Sequence, residues 1–512
     1  MTPTTATSTR TAYDELVAIS KETQLIGATA GLLSWDQEVN MPPEGVAYRS
    51  RQMSVLARLH HETFTAPRMG ELLAECEGDG ELMSDPLSVE AVNVRELRRL
   101  YDRQTRLPPA LVAEEAELAS LGQHIWAKAR KDSEFARFAP TLEKIVELLR
   151  RKAECFGWAE GGEPWDALAE DYEPGCTAAG VEAVFTPLRT RLQAFLQEIA
   201  GAPKRPSNAF NERRLPVDKQ EKFVRFVAES IGFDFQRGRL DVSTHPFCSS
   251  THPCDVRLTT RFHEDNVNDA LGSTMHEAGH GIYEQGLLGE HIGTPMCDAV
   301  SLGIHESQSR MWENQVGRSR TFWRWCHPKL ADFFGKDVAD LDLETVYQGV
   351  NIVTPDFIRV EADEATYNMH IMVRFEIERA LMKGDLSVRE LPGVWNGKYK
   401  EYLGLDVPDD ARGCLQDVHW SSAAMGYFPT YTLGNLYCAQ FFEKARADIP
   451  DLEEQFARGQ FDDLRRWLNT HIHEQGGRYR PHELCEVVTG APLSADPLMR
   501  HLEGKLRPLY GL

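Results

Sequence analysis

Apolar residues return every three to four positions over long stretches of this chain. Val181, Val184, Phe185, Leu188, Leu192, Phe195, Leu196 and Ile199 fall on one helical face, as do Leu142, Ile145, Val146 and Leu149. Such stripes are buried by packing helix on helix, so the pattern predicts an all-α, predominantly helical chain. With 42% hydrophobic and 26% charged residues among 512, the composition is that of a globular protein with a large core. Punctuation is short: Met41-Pro42-Pro43-Glu44-Gly45, Gly161-Gly162-Glu163-Pro164 and Gly201-Ala202-Pro203-Lys204-Arg205-Pro206. The last is the best internal boundary, which predicts one domain (1–512) made of a helical subdomain over 1–205 and a second subdomain over 206–512.

Helical patterning fails over residues 240–260. Two His-Pro pairs (His245-Pro246, His252-Pro253) precede Asp255-Val256-Arg257-Leu258-Thr259-Thr260, where polar and apolar residues alternate. The alternation predicts a strand, hence a small β-sheet, with Asp255, Arg257 and Thr259 on one face and Val256 and Leu258 on the buried one.

Charge narrows the function. Lys and Arg number 56 against 78 Asp and Glu, a net charge of −22, which repels a nucleic-acid backbone or an anionic membrane. No stretch approaches the roughly 20 apolar residues of a membrane span. The opening residues, Met1 to Glu15, lack the apolar core of a secretory signal and read as a frayed tail of a cytoplasmic protein. Ten Cys without a CxxC pair read as reduced, mostly buried thiols.

The sharpest motif is His276-Glu277-Ala278-Gly279-His280, an HExxH run flanked by Ala270, Leu271, Met275 and Ile282. On a helix, residues four apart face the same way about 6 Å along the axis, so two imidazoles can close on one zinc ion while Glu277 faces a water bound to it. A third ligand is required. The form HExxHxxGxxH needs Gly at position 283 and His at 286, but the chain has Tyr283 and Gly286. Glu284 shares the helical face but lies a turn beyond His280, and reads as a solvated charge. Glu306 follows far enough behind a turn at Gly293-Thr294-Pro295 to return on an antiparallel helix, and is the predicted third ligand. Two imidazoles and a carboxylate around Zn²⁺ make a hydrolytic site, with Glu277 as general base and acid. The stretch Gln416-Asp417-Val418-His419-Trp420, followed by Gly426-Tyr427-Phe428-Pro429-Thr430-Tyr431, offers imidazole and phenol donors for an oxyanion.

With these residues in view, the chain resembles the carboxypeptidase Taq family of zinc metallocarboxypeptidases. Six family motifs occur in order: His245-Pro246-Phe247, Asp255-Val256-Arg257-Leu258-Thr259, the HExxH run, His305-Glu306-Ser307-Gln308, Ile358-Arg359-Val360-Glu361-Ala362-Asp363, and Gly413-Cys414-Leu415-Gln416-Asp417-Val418-His419-Trp420. Trp35-Asp36-Gln37-Glu38 and Asp171-Tyr172-Glu173-Pro174-Gly175 extend the likeness upstream. The resemblance implies a neurolysin-like helical fold with a deep central groove and a cytosolic homodimer. It further implies removal of single C-terminal residues from peptides, with broad tolerance and Pro disfavoured, and one Zn²⁺ per chain that Co²⁺ can replace. Carried over residue by residue, it makes His276, His280 and Glu306 the ligands, Glu277 the base, and Arg359 the partner of the substrate's terminal carboxylate. Arg257 and His245 become pocket residues. His419 and Tyr427 inherit oxyanion roles, with Tyr431 a competitor for the same role. The alternative is an oligoendopeptidase, since the same chemistry cuts internal bonds where a groove has open ends.

Overall fold

Both helical faces read from the sequence are buried in the computed structural model, which describes residues 4–512, with side chains from Arg10 onward. The helix Phe135–Phe156 buries Leu142, Ile145, Val146 and Leu149. The helix Ala178–Ala200 buries Val181, Phe185, Leu188, Leu192, Phe195 and Ile199, with Val184 and Leu196 packed at the margin. Its start is fixed by Thr177, whose hydroxyl accepts from the Gly180 N–H at 3.1 Å. One apolar core runs from Leu111 to Tyr510, and a smaller one gathers residues between Ala12 and Leu97. Among the described residues no helix is long and apolar enough to cross a membrane. No disulfide forms, and six of the ten cysteines are buried.

The strand prediction holds. Strands β1 (Gly238–Val242), β2 (Cys248–His252) and β3 (Asp255–Thr260) form one sheet in the order β1-β3-β2, parallel between β1 and β3 and antiparallel between β2 and β3. Val256 and Leu258 are buried on one face. On the other, Arg239 and Arg257 are register partners, and both guanidinium groups lie over the Trp35 ring, at 4.9 and 4.3 Å from its centroid. The upstream Trp35 motif therefore docks the first helix onto the sheet.

The reading of residues 1–15 as a frayed tail is corrected from residue 4 onward; residues 1–3 lie outside the described part. A helix spans Thr4–Val39, and Ala12, Tyr13 and Leu16 are buried against Phe64, Met69, Leu72 and Leu97. The Tyr13 hydroxyl accepts from the Asn93 side-chain amide at 2.9 Å. A polar, Thr-rich start carries little helical signal of its own; burial of these three side chains against distant segments supplies the stability.

Candidate metal centre

The HExxH run lies on the helix Val267–Gly286, begun by Asn266, whose side chain accepts from the Asp269 N–H at 3.1 Å. The chain returns as the helix Leu302–Arg310, which runs on into a π-helical turn, Met311–Val316. The pair is antiparallel, as expected: Glu284 meets His305, Gly279 meets Gln308 and Ser309, and Met275 meets Gly317. Their approach requires a small residue, since a Cβ on Gly279 would stand 2.6 Å from the Gln308 carbonyl oxygen. On its other side the returning helix is backed by Gly434, where a Cβ would stand 2.7 Å from Cβ and Cγ of Glu306. Its start is held by the second upstream motif: Glu173 accepts from the Gly303 N–H at 2.9 Å, and the Tyr172 carbonyl accepts from Leu302 N at 3.0 Å.

This packing brings His276, His280 and Glu306 together, with one donor atom from each within 4.8 Å of the others. Nε2 of His276 and Nε2 of His280 stand 3.6 and 3.5 Å from Glu306 Oε2. Ligands bonded at about 2.0–2.1 Å around a tetrahedral ion sit roughly 3.3 Å apart, close to both of these His–Glu spacings, so the donor set suits a zinc-sized ion. Burial opposes the charged form of Glu306, but Arg310 and the two imidazoles outweigh it and hold the carboxyl below the usual range. Burial and the neighbouring His305 push His280 down to about 3, which leaves a neutral ring with a free lone pair. Beside the triad, Glu277 is 6% exposed, and burial pushes its carboxyl up to about 7.

A second ring of groups holds the first. Glu313, in the π-helical turn, contacts His276 Nδ1 at 2.9 Å. Arg310 donates to Glu306 at 2.8 Å and to Glu313 at 3.0 Å. His305 Nδ1 contacts His280 Nδ1 at 2.5 Å, and His305 Nε2 contacts Glu284 at 2.8 Å. Glu284 is thus not the solvated charge read from the sequence. It is largely buried, and contact with His305 outweighs desolvation to lower its pKa. Periodicity placed it on the correct face, but what covers that face, His305 of the antiparallel partner and Ser250 of β2, comes from other elements.

The triad opens onto a cavity of about 740 Å³ lined by His276, Glu277, Glu306, His245, Arg359, His419 and Tyr431, among others. A neighbouring cavity of about 410 Å³ shares its Gly272, Glu313 and Arg318 walls, and the two form the groove. Arg359 is 6% exposed, and its fork is already engaged: Nε and Nη2 donate to Asp417 Oδ1 at 3.0 and 2.9 Å, and Nη1 to the Tyr367 hydroxyl at 2.9 Å. Asp417 is shared with the fully buried Arg374. Three of Arg359's five N–H groups are so used, leaving one on each terminal nitrogen. Burial pushes His419 down to about 4, and its Nδ1 has no hydrogen-bond partner. Tyr427 packs against His419, Tyr431 and Tyr172 but lies outside the cavity lining, whereas Tyr431 is part of it. Arg257 also lies outside, paired with Asp255 at 3.0 Å and stacked on Trp35.

Several cleft residues escaped the sequence reading. Tyr367 joins Arg359 to Arg310, whose guanidinium lies 4.5 Å from the Tyr367 ring centroid. Gln123, Trp126 and Arg130 line the cavity from the helix Pro109–Asp132. Their spacing of three and four was the only available signal, and on a half-exposed helix it is indistinguishable from an ordinary surface stripe.

Comparison with known proteins agrees with this geometry. The family model described as "Carboxypeptidase Taq (M32) metallopeptidase" matches residues 15–506. Thermostable carboxypeptidase 1 of Thermus thermophilus is 45% identical over 507 residues, covering 98% of this chain and 99% of that protein. Thermostable carboxypeptidase 1 of Pyrococcus furiosus is 36% identical over 499 residues, covering 96% and 97%. The crystal structure of M32 carboxypeptidase from Deinococcus radiodurans R1 superposes with a TM-score of 0.94 at 38% identity, covering 98% of this chain and all of that one. Helical fold, convergent His-His-Glu triad and near full-length matches lead to one conclusion: this chain belongs to the carboxypeptidase Taq family and is a metallocarboxypeptidase.

Proposed function

We propose that the chain is a zinc carboxypeptidase releasing single residues from peptide C-termini, with broad side-chain tolerance and Pro disfavoured. The observation that carries this reading is the meeting of His276, His280 and Glu306 beside buried Glu277, in a groove that also presents Arg359. His276, His280 and Glu306 hold one zinc ion per chain, for which cobalt can substitute. Bound zinc supplies Lewis acidity, which acidifies water and polarises a peptide carbonyl. Glu277 accepts the water's proton and returns it to the leaving amine; its raised pKa makes it a stronger base than an exposed carboxylate. His419 and one phenol, Tyr427 or Tyr431, donate to the tetrahedral oxygen; Tyr431, which lines the cavity where Tyr427 does not, fits that role better. His245 lines and shapes the pocket, while Arg257, outside the cavity and held by Asp255 and Trp35, has only an indirect role from the strand. The chain acts as a cytoplasmic homodimer.

Exopeptidase action rests on Arg359. Its two remaining N–H groups suit the two oxygens of a terminal carboxylate, and Asp417 and Tyr367 fix the guanidinium before substrate arrives. Charge-assisted bonds of this kind contribute about 1.5–3 kcal/mol. Arg359→Ala is therefore expected to lower kcat/KM for a free-acid peptide about 10- to 150-fold and to change cleavage of its C-terminal amide little. Arg374 still pairs Asp417 in that variant, so the fold keeps a partner for the buried carboxylate. Equal losses on the two substrates would count against the clamp and favour an oligoendopeptidase.

A further inference from the structure

Metal binding at Nε2 of a neutral imidazole requires its proton on Nδ1, and what faces each Nδ1 decides whether that tautomer is held in advance. The two ligand imidazoles are faced by different groups. His276 Nδ1 meets a carboxylate, Glu313, at 2.9 Å. His280 Nδ1 meets another imidazole nitrogen, His305 Nδ1, at 2.5 Å. Two facing ring nitrogens share one proton in a hydrogen bond. Because Nε2 of His280 is the atom that faces the ion in the zinc reading above, it must keep its lone pair, and the shared proton belongs to His280. His305 must then accept at Nδ1, which places its own proton on Nε2. There Glu284, 2.8 Å away, is the acceptor. One proton order satisfies all three groups.

We infer that His305 and Glu284 are positioning residues for the metal, forming a relay that fixes the tautomer and ring orientation of His280 while Glu313 does so for His276. The inference rests on the zinc reading above and goes beyond it, since neither residue reaches the ion. It also accounts for a carboxylate buried a full turn past HExxH. His276, His280 and Glu284 recur every four residues on one helical face, and the returning helix sets His305 between the last two.

The test is zinc affinity, measured by competition with a chelator, with no assay of turnover. His305→Leu removes the acceptor and is expected to weaken zinc binding about 10- to 100-fold. His305→Asn offers a carboxamide oxygen near the place of Nδ1 and is expected to recover most of that loss. At the far end Glu284→Leu should weaken binding, whereas Glu284→Gln, which keeps an acceptor oxygen, should stay close to the native protein. Native affinity in His305→Leu, or a loss in His305→Asn as large as in His305→Leu, overturns the relay. Should the leucine variant fail to fold, the cobalt-loaded native protein answers the same question by NMR. Two solvent-exchangeable, paramagnetically shifted imidazole N–H signals are expected, one from each ligand, and a single signal overturns the proton order. A native protein that binds no zinc tightly contradicts the metal reading itself and takes the relay with it.

Discussion

Replacing Glu277 with Gln is expected to leave zinc bound and to cut kcat by about 10²–10⁴-fold, the range over which a positioned acid or base contributes. The carboxamide is nearly isosteric with the carboxylate, and the side chain is almost fully buried on the wall of the cavity, so the substitution changes charge and basicity rather than packing. Glu277 is also outside the His-His-Glu triad, so the change leaves the ligand set complete. An amide cannot take a proton from water at neutral pH, whereas a carboxyl raised to about 7 by burial is matched to that task. Metal analysis and steady-state kinetics on the same preparation check both halves. Near-normal turnover in a zinc-loaded variant would remove Glu277 from the chemistry.

Glu306→Ala is expected to empty the site. The carboxylate is the one anionic member of the triad and stands 3.5 to 3.6 Å from both ring nitrogens, so its loss takes away a ligand and the only negative charge by which the triad offsets a divalent ion. Arg310 keeps Glu313 as a partner, which limits the penalty of an uncompensated buried cation. Elemental analysis after gel filtration should find almost no zinc in the variant beside one ion per native chain. Full occupancy in folded Glu306→Ala would show that another residue completes the set.

What was legible in the sequence was local. The spacing of Val181 to Ile199, the alternation of Asp255 to Thr260, and the four-residue step from His276 to His280 each report a repeat that one element imposes on its own residues. Glu306 was within reach because only a short connection of two tight turns lies between the motif's helix and the returning one. Whatever depends on a segment elsewhere in the chain was hidden. Tyr13 is ordered by Asn93, 80 residues away, and a polar start gave no sign of it. Arg359 is held by Asp417, 58 residues on, so an arginine that looks like a free clamp in its motif is half committed to a structural ion pair. Glu284 looked exposed because periodicity names a face without saying what covers it; His305 does. Trp126 gave no signal as a cleft residue, because its place there depends on a bond to the Leu415 carbonyl, 289 residues away.

In the proposed function, the groove pairs hydrolysis at the His276, His280 and Glu306 site with recognition of a free peptide end by Arg359. Time-resolved mass spectrometry follows a single peptide digested by the native zinc-loaded enzyme in free-acid and in C-terminally amidated form. A ladder of single-residue losses from the free acid is expected, with little cleavage of the amide. Equal rates on the two forms, with internal fragments from both, would contradict that pairing.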